Sequence, residues 1–256
     1  MAREFDDGSS QYLISGVQSL IVDNTDLPIT MACWFKSDDA TIIQTLMFIV
    51  DYSSAEWYVL YADGSISGDP IRAGAYDGVT SALANSVTGY SAGTWHHACG
   101  IFSATKARAA FIDGGSKGTN ATNVAGVGPL DRFVIGARVY AGGGTKDLFM
   151  SGAIAEAAIW KAALSDAEVA ILAHGFSPLM MRPESLVTYW ALIRDADIDR
   201  VGGYHLTANG GPTVSAHMPK LLYPSAKLGY FITVPPTPSI PPAHAPPAVD
   251  SAVMIV

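Results

Sequence analysis

Gly152-Ala153-Ile154-Ala155-Glu156-Ala157-Ala158-Ile159-Trp160 is an apolar run that leads into Leu164-Ser165-Asp166-Ala167-Glu168. A serine followed three residues later by a glutamate is a capping box, in which each side chain bonds the backbone amide of the other residue. We predict a helix that begins after Ser165 and ends at Gly175, because glycine readily adopts the left-handed conformation at a helix end. Its apolar face consists of Val169, Leu172 and Ala173. At about ten residues such a helix is not stable alone, so we expect it to dock on the rest of the fold.

The sequence before this run consists of short apolar or alternating segments separated by turn signals. Residues 29–36 place Ile29, Met31, Cys33 and Phe35 on one face, and this period of two indicates a β-strand. Residues 95–102 and 107–112 flank a short polar turn and predict an antiparallel hairpin. Strands at this spacing, with no helical periods between them, favour a two-sheet β-sandwich over a parallel α/β sheet.

Composition excludes several classes of protein. The chain has 256 residues, and 15 Lys and Arg against 23 Asp and Glu give a net charge of −8. A negative chain lacks the basic surface that nucleic acids require, so nucleic-acid binding is disfavoured. The longest apolar stretch, residues 42–50, is too short to cross a membrane. The N-terminal residues lack the apolar region of a secretory signal, so we expect a protein made without a cleaved signal peptide.

Five segments together resemble the laminin-G-like domains of the concanavalin A-like lectin/glucanase superfamily, namely Phe5–Leu13, Leu27–Lys36, Gly93–Gly100, Ala110–Gly114 and Gly152–Ser165. They occur in the family's order over roughly residues 4–175. The resemblance implies a jelly roll of two curved antiparallel sheets, in agreement with the strand pattern. The chain is also similar in general character to structural proteins of tailed bacteriophages. We expect an all-β, two-sheet antiparallel jelly-roll sandwich with one short docked helix and an extended Pro-rich C-terminal arm.

We divide the chain into three parts. Residues 1–178 form the jelly roll, residues 179–233 return onto the sandwich or onto a partner, and residues 234–256 form the arm. Seven of the 13 residues from 235 to 247 are proline, a composition that favours extended polyproline II and cannot enter a sheet interior. We expect a homo-oligomer in which the arm binds protein subunits of a larger assembly through Pro235, Pro236, Pro238, Pro241, Pro242, Val253 and Ile255.

Catalytic residues are not expected. Glycoside hydrolysis, the reaction of enzymes in the superfamily, needs two carboxylates that face one cleft. Glu156 stands alone on its strand, because Ala158 and Trp160 occupy the next positions on the same face. The adjacent His96 and His97 point to opposite faces of a strand and cannot bind one ion. We therefore predict that the protein is not an enzyme.

Asp195, Asp197 and Asp199 are the candidate metal ligands, for calcium only, because alternating carboxylates in a loop can converge on this ion. The alternative is a solvated acidic turn neutralised by Arg194 and Arg200. No other cofactor is expected.

The two cysteines, Cys33 and Cys99, are too few for a disulfide scaffold. The family's topology places both in one sheet with their side chains toward the core. Without an export signal we expect two buried, reduced thiols, and a disulfide is the alternative.

Aromatic residues raise the question of sugar binding. Trp57, Tyr58, Tyr61 and Tyr76, with Tyr90 further along, lie in the stretch that forms the concave face of one sheet in the family. Sugar rings stack on such faces, so these side chains are candidate glycan-binding residues. The alternative is that they belong to the core of the sandwich.

Two functions are consistent with these observations. The first hypothesis is a non-catalytic decoration or surface protein of a bacteriophage particle, attached through its C-terminal region and located at the virion surface. The alternative is a carbohydrate-binding, lectin-like module, cytoplasmic or cell-associated, that recognises cell-surface or environmental glycans. Neither nucleic acid nor a membrane is expected as a partner.

Overall fold

The computed structural model describes residues 1–17, 27–54, 56–193, 197–219 and 221–223. In these residues the strands are β1 Ala2–Phe5, β2 Tyr12–Ser15, β3 Ile29–Ser37, β4 Ile43–Val50, β5 Trp57–Asp63, β6 Pro70–Tyr76, β7 Ser81–Gly89, β8 His96–Ala104 and β9 Ala107–Ile112. They continue with β10 Gly115–Asn120, β11 Arg132–Ile135, β12 Arg138–Val139, β13 Lys146–Asp147, β14 Gly152–Trp160, β15 Leu186–Trp190, β16 Leu206–Asn209 and β17 Thr213–Ser215. The helix, α1, spans Asp166–Ala173.

The strands form two large antiparallel sheets. Sheet A has the order β10-β9-β8-β3-β14-β1-β17, and β15 also pairs with β14. Sheet B has the order β16-β2-β11-β4-β5-β6-β7, and β12 pairs with β13 in a separate hairpin. Neighbours in both sheets are often distant in sequence, as expected of a jelly roll. The predicted all-β, two-sheet antiparallel fold is confirmed, and so is the hairpin of β8 and β9.

The main core lies between the two sheets. Alternate residues of each strand point inward, and the largest inward side chains include Leu13, Ile29, Met31, Phe35, Phe102 and Phe133. A second cluster lies on the outer face of sheet A, beneath α1, and a third lies on the outer face of sheet B. Sheet B therefore carries apolar side chains on both of its faces.

Strand β14 is buried along its whole length at the centre of sheet A. It pairs with β3 on one side, while on the other side β1 pairs with its first half and β15 with its second half. Between these halves the register shifts by a β-bulge that contains Glu156, whose φ of 55° lies in the left-handed region. The bulge aims this carboxylate outward from sheet A.

Helix α1 forms as the sequence predicts. The Ser165 hydroxyl accepts a bond from the amide of Glu168, the Glu168 carboxylate accepts one from the amide of Ser165, and both parts of the capping box are present. Gly175, with a φ of 89°, follows the last turn. Val169 and Leu172 bury their side chains against the outer face of sheet A, which explains how so short a helix is stable.

The described part of residues 179–223 packs on the sandwich. Strand β15 joins sheet A through β14, β16 joins sheet B through β2, and β17 joins sheet A through β1. The described residues belong to one compact unit. The predicted boundaries at 178 and 233 stay predictions, and the Pro-rich arm lies outside the described residues.

Both cysteines are buried free thiols, as predicted. Strands β3 and β8 are neighbours, with Cys33 opposite Ala98 and Cys99 opposite Ala32. Cys33 belongs to the core between the sheets, whereas Cys99 belongs to the cluster beneath α1. The expectation that both thiols face the same core is wrong. Cys99 is opposite Ala32, the neighbour of Cys33, and neighbouring residues of a strand point to opposite faces of the sheet. Burial raises the pKa of both thiols, so they are poorly reactive.

Candidate functional site

The predicted glycan-binding residues divide between the two faces of sheet B. On β5 the side chains alternate, so Trp57 and Tyr61 lie on the outer face while Tyr58 points into the core between the sheets. The Tyr58 ring packs against Phe102 with centroids 4.9 Å apart. Tyr90 belongs to the same core. The prediction that Tyr58 lines a binding face is therefore wrong, since a period of two puts it on the opposite side from Trp57.

Tyr61 lies on the outer face but is covered. Its side chain is 3% exposed and belongs to the same cluster as Val139 of the β12–β13 hairpin. Burial raises the pKa of Tyr61 to about 12. The ring fills space beneath the hairpin and offers no surface to a ligand.

Trp57 and Tyr76 remain partly exposed and form a continuous aromatic surface. They are directly opposed on β5 and β6, with ring centroids 5.5 Å apart and an angle of 31° between the ring planes. Phe48 supports the Trp57 ring from β4 at 6.0 Å. The Tyr76 hydroxyl donates to the carbonyl of Gly78 at 2.7 Å, which fixes the orientation of its ring. We call Trp57 and Tyr76 the aromatic platform.

Polar side chains lie on the same face of sheet B as the platform. Arg72 is four residues before Tyr76 on β6, and its Nε donates to Asn85 Oδ1 at 3.1 Å while its Nη1 contacts Asp63 Oδ2 at 2.6 Å. Ser81 is directly opposite Tyr76 on β7 and is exposed. Ser81 offers a hydroxyl next to the platform, whereas Arg72 and Asn85 offer hydrogen-bonding groups further along the same face. The sequence analysis did not identify Arg72 and Asn85, although the period of two running back from Tyr76 places Arg72 on its face.

The two described aspartates of the predicted calcium site accept hydrogen bonds from other residues of the chain. Arg3 holds Asp197 through two hydrogen bonds, Nε to Oδ1 at 2.7 Å and Nη2 to Oδ2 at 2.6 Å. Asp199 accepts bonds from the backbone amides of four residues, which are Tyr189, Val201, Gly202 and Tyr204. Asp195 lies outside the described residues. Because both described carboxylates already have donors, they tie the chain together and do not converge on an ion, and in the described ranges no group of three acidic, histidine or cysteine residues could hold a metal.

Glu156 has protein partners on the outer face of sheet A. Its carboxylate accepts a hydrogen bond from the Tyr189 hydroxyl, contacts His217 Nε2 at 3.2 Å and accepts a bond from the Tyr223 hydroxyl at 3.4 Å. Within the described part of the chain its bonding partners are therefore two tyrosines and a histidine. The arrangement joins β14 and β15 to His217 and Tyr223 and differs from the paired carboxylates of glycoside hydrolysis.

His96 and His97 point to opposite faces of β8, as predicted. Nδ1 of His96 lies 2.7 Å from Asp113 Oδ2, whereas His97 is 2% exposed and packs its ring against Trp34. Burial lowers the pKa of His97 to about 4. The two rings thus occupy separate environments and share no site.

Lowering the pH from 6.5 toward 4 is expected to destabilise the wild type more than the variant His97→Gln. In the unfolded chain the pKa of His97 is close to 6.5, so between these pH values the unfolded state binds a proton that the folded state excludes. This linkage costs up to about 1.4 kcal/mol of unfolding free energy per pH unit. Urea denaturation at a series of pH values measures the free energy of unfolding. If this free energy falls with pH at the same slope in the two proteins, the lowered pKa of His97 is contradicted.

The strand order and the aromatic outer face define a lectin-like β-sandwich. The sequence profile of the laminin-G-like family, described as part of the concanavalin A-like lectin/glucanases superfamily, matches residues 7–170. This match spans more than half of the sequence, so the chain belongs to that family. In the described ranges, no helix is long and apolar enough to span a membrane.

Solved structures share this fold at low sequence identity. A candidate carbohydrate-binding protein from Bacteroides ovatus is similar with a TM-score of 0.56 and 15% identity over 83% of this chain and 61% of that one. A heptameric pentraxin from Limulus polyphemus is similar with a TM-score of 0.51 and 18% identity over 64% of this chain and 75% of that one. No curated protein matches the sequence. These likenesses concern the fold.

Proposed function

We propose that the protein is a non-catalytic glycan-binding domain and that sugar rings stack on the aromatic platform of Trp57 and Tyr76. The observation that carries the proposal is the pair of adjoining, partly exposed rings on the outer face of sheet B. The apolar faces of sugar rings pack well on aromatic surfaces, while their hydroxyls need hydrogen-bond partners at the edge. Ser81, opposite Tyr76, supplies such a partner, and Arg72 and Asn85 offer more about 13 Å further along the same face.

The proposal of a non-catalytic role rests on the placement of the carboxylates. Asp63, which is bound to Arg72, has a side chain that is 1% exposed. Glu156 lies on the outer face of the other sheet, and its described partners are tyrosines and a histidine. Neither of these two carboxylates faces the platform, and Glu56 and Asp77, which adjoin its rings in sequence, accept hydrogen bonds from the backbone amides of Gly128, Thr80 and Ala125. Family membership and the likeness to the candidate carbohydrate-binding fold support the same function.

Trp57→Ala is expected to weaken glycan binding at least about ten-fold, because central aromatic side chains contribute most to binding energy. Tyr76→Ala is expected to act in the same direction, and Trp57→Phe is expected to retain part of the affinity because it keeps an aromatic ring. Binding is measured first on a glycan array and then by calorimetry with the glycans that the array retains.

Val87→Ala is the matched control, since Val87 is 75% exposed on the same sheet and away from the platform. Thermal unfolding of every variant establishes that the fold is intact. Unchanged binding by a folded Trp57→Ala protein, or an array without any retained glycan, would refute the proposed function.

Assembly into a larger particle is a second proposal, which the comparisons do not address. In its favour, Met1, Leu222 and Tyr223 are about half exposed near the point where the described chain ends, at 56%, 50% and 47%. The proposed contact residues Pro235, Pro236, Pro238, Pro241, Pro242, Val253 and Ile255 lie outside the described residues. Attachment to a bacteriophage particle and location at the virion surface stay predictions.

A further inference from the structure

Most arginines on the outer face of sheet B and its hairpin are paired with carboxylates. Arg72 contacts Asp63 at 2.6 Å. Arg138 binds Asp147 with two hydrogen bonds, Nε to Oδ1 at 2.8 Å and Nη2 to Oδ2 at 2.6 Å. The charges of both pairs cancel locally, so neither attracts a charged ligand strongly.

Arg132 and Lys146 differ, because neither forms an ion pair with any carboxylate in the described residues. The Arg132 guanidinium stacks on the ring of Tyr52 with 4.4 Å to the centroid. Its Nη1 donates one long hydrogen bond to the Ser15 carbonyl at 3.4 Å, and its Nε has no partner there. Lys146 Nζ lies 5.8 Å from the centroid of the Tyr12 ring.

These two cations belong to one corner of the face. Lys146 Nζ donates to the carbonyl of Gly143 at 2.5 Å, and a Cβ on Gly143 would lie 2.8 Å from the Tyr52 ring. The hairpin therefore rests on the same ring that carries Arg132. We call Tyr12, Tyr52, Arg132 and Lys146 the cationic corner.

The acidic side chains near this corner are occupied by other donors. Asp131 accepts a hydrogen bond from the amide of Tyr52 at 3.2 Å. Asp51 accepts bonds from the hydroxyls of Ser53 and Ser54. Both carboxylates hold turns of the chain and leave the charge of Arg132 without a directly bound anion.

The cationic corner is within reach of a ligand on the platform. In the sheet register Arg132 is opposite Val50, and Val50 is opposite Trp57. Two strand spacings separate Arg132 from Trp57, which is about 10 Å. A short oligosaccharide that crosses the strands spans this distance.

We propose that the protein selects acidic glycans, with the carboxylate of one sugar bound at the cationic corner and a neighbouring ring stacked on Trp57 and Tyr76. This inference rests on the proposed glycan-binding function and adds the chemical class of the ligand. The guanidinium of Arg132, held by Tyr52, is a charged donor suited to a carboxylate. Lys146 adds a second positive charge.

The test uses the full chain and an array of glycans in matched pairs, in which a uronic acid oligosaccharide stands beside its methyl ester and a sialylated glycan beside its asialo form. Wild type is expected to bind the acidic member at least about ten-fold more tightly than its neutral partner. Arg132→Gln is expected to abolish this preference, Lys146→Gln to reduce it, and Arg132→Lys to retain part of it. Raising the salt concentration is expected to weaken acidic binding by the wild type.

Lys106→Gln is the control, because it removes one exposed positive charge on the turn between β8 and β9 of sheet A. It is expected to leave the preference unchanged. Equal affinity for both members of each pair, or a preference that survives Arg132→Gln in a folded protein, would overturn the inference while leaving glycan binding intact. If the wild type binds no glycan on the array, both the proposed function and this inference are refuted.

Discussion

Arg3→Ala is expected to lower the free energy of unfolding by about 3–5 kcal/mol, the cost of removing one partner from a buried ion pair. Arg3 is 3% exposed and Asp197 is 5% exposed, and the guanidinium also donates to the carbonyl of Pro212 at 3.0 Å. Truncating Arg3 leaves the Asp197 carboxylate buried without its strongest partner. The loss is large because it also releases the loop before β16 from β1.

Urea denaturation of the variant at neutral pH measures this change. Lys117→Ala is the control, since the ion pair of Lys117 with Asp166 has side chains that are 43% and 65% exposed and its loss is expected to cost less. The double variant Arg3→Met with Asp197→Leu is expected to recover much of the stability, because two apolar side chains leave no unpaired charge. If Arg3→Ala lowers the free energy of unfolding by less than about 1 kcal/mol, the buried pair of Arg3 and Asp197 does not stabilise the fold.

Trp190→Ala is expected to destabilise the protein by about 3–5 kcal/mol through a cavity between the sheets. Trp190 is 1% exposed on β15, and its ring meets Phe133 of the opposite sheet with centroids 5.2 Å apart. Its Nε1 donates to the carbonyl of Tyr204 at 2.7 Å, so the substitution also leaves that acceptor unpaired. Chemical denaturation reports the free energy directly.

Trp190→Phe separates the two contributions to this effect. It keeps an aromatic ring in the core but removes the indole donor, so we expect it to cost less than the alanine variant. Val87→Ala, at an exposed position, serves again as the control for truncation itself. Similar stabilities of wild type and Trp190→Ala would contradict the view that residues 186–190 belong to the core of the sandwich.

Several features of the fold were predictable because they depend on neighbouring residues. The capping box of Ser165 and Glu168 acts over one helical turn, so its sequence spacing is sufficient to predict the start of α1. The hairpin of β8 and β9 depends on two adjoining strands and the turn between them. The two-sheet class followed from the spacing of such strands, supported by the family resemblance.

The candidate site was only partly predictable. Trp57 and Tyr76 were identified, and the structure places them together on the outer face of sheet B. Tyr58 was assigned to the same face although the period of two along β5 puts it on the other. Arg132 is remote from Trp57 in sequence and reaches the same face because β11 and β5 both pair with β4.

The sequence alone located α1 and the strands β3, β8 and β9, because these elements depend on periodicity and capping over a few residues. The tertiary structure alone decided which carboxylates bind arginine or backbone amides, that Cys99 lies beneath α1, and that Arg132 and Lys146 form no ion pair with a carboxylate of the described residues. The reason is that pairing register between distant strands sets each side chain's face and neighbours, and no local pattern encodes that register.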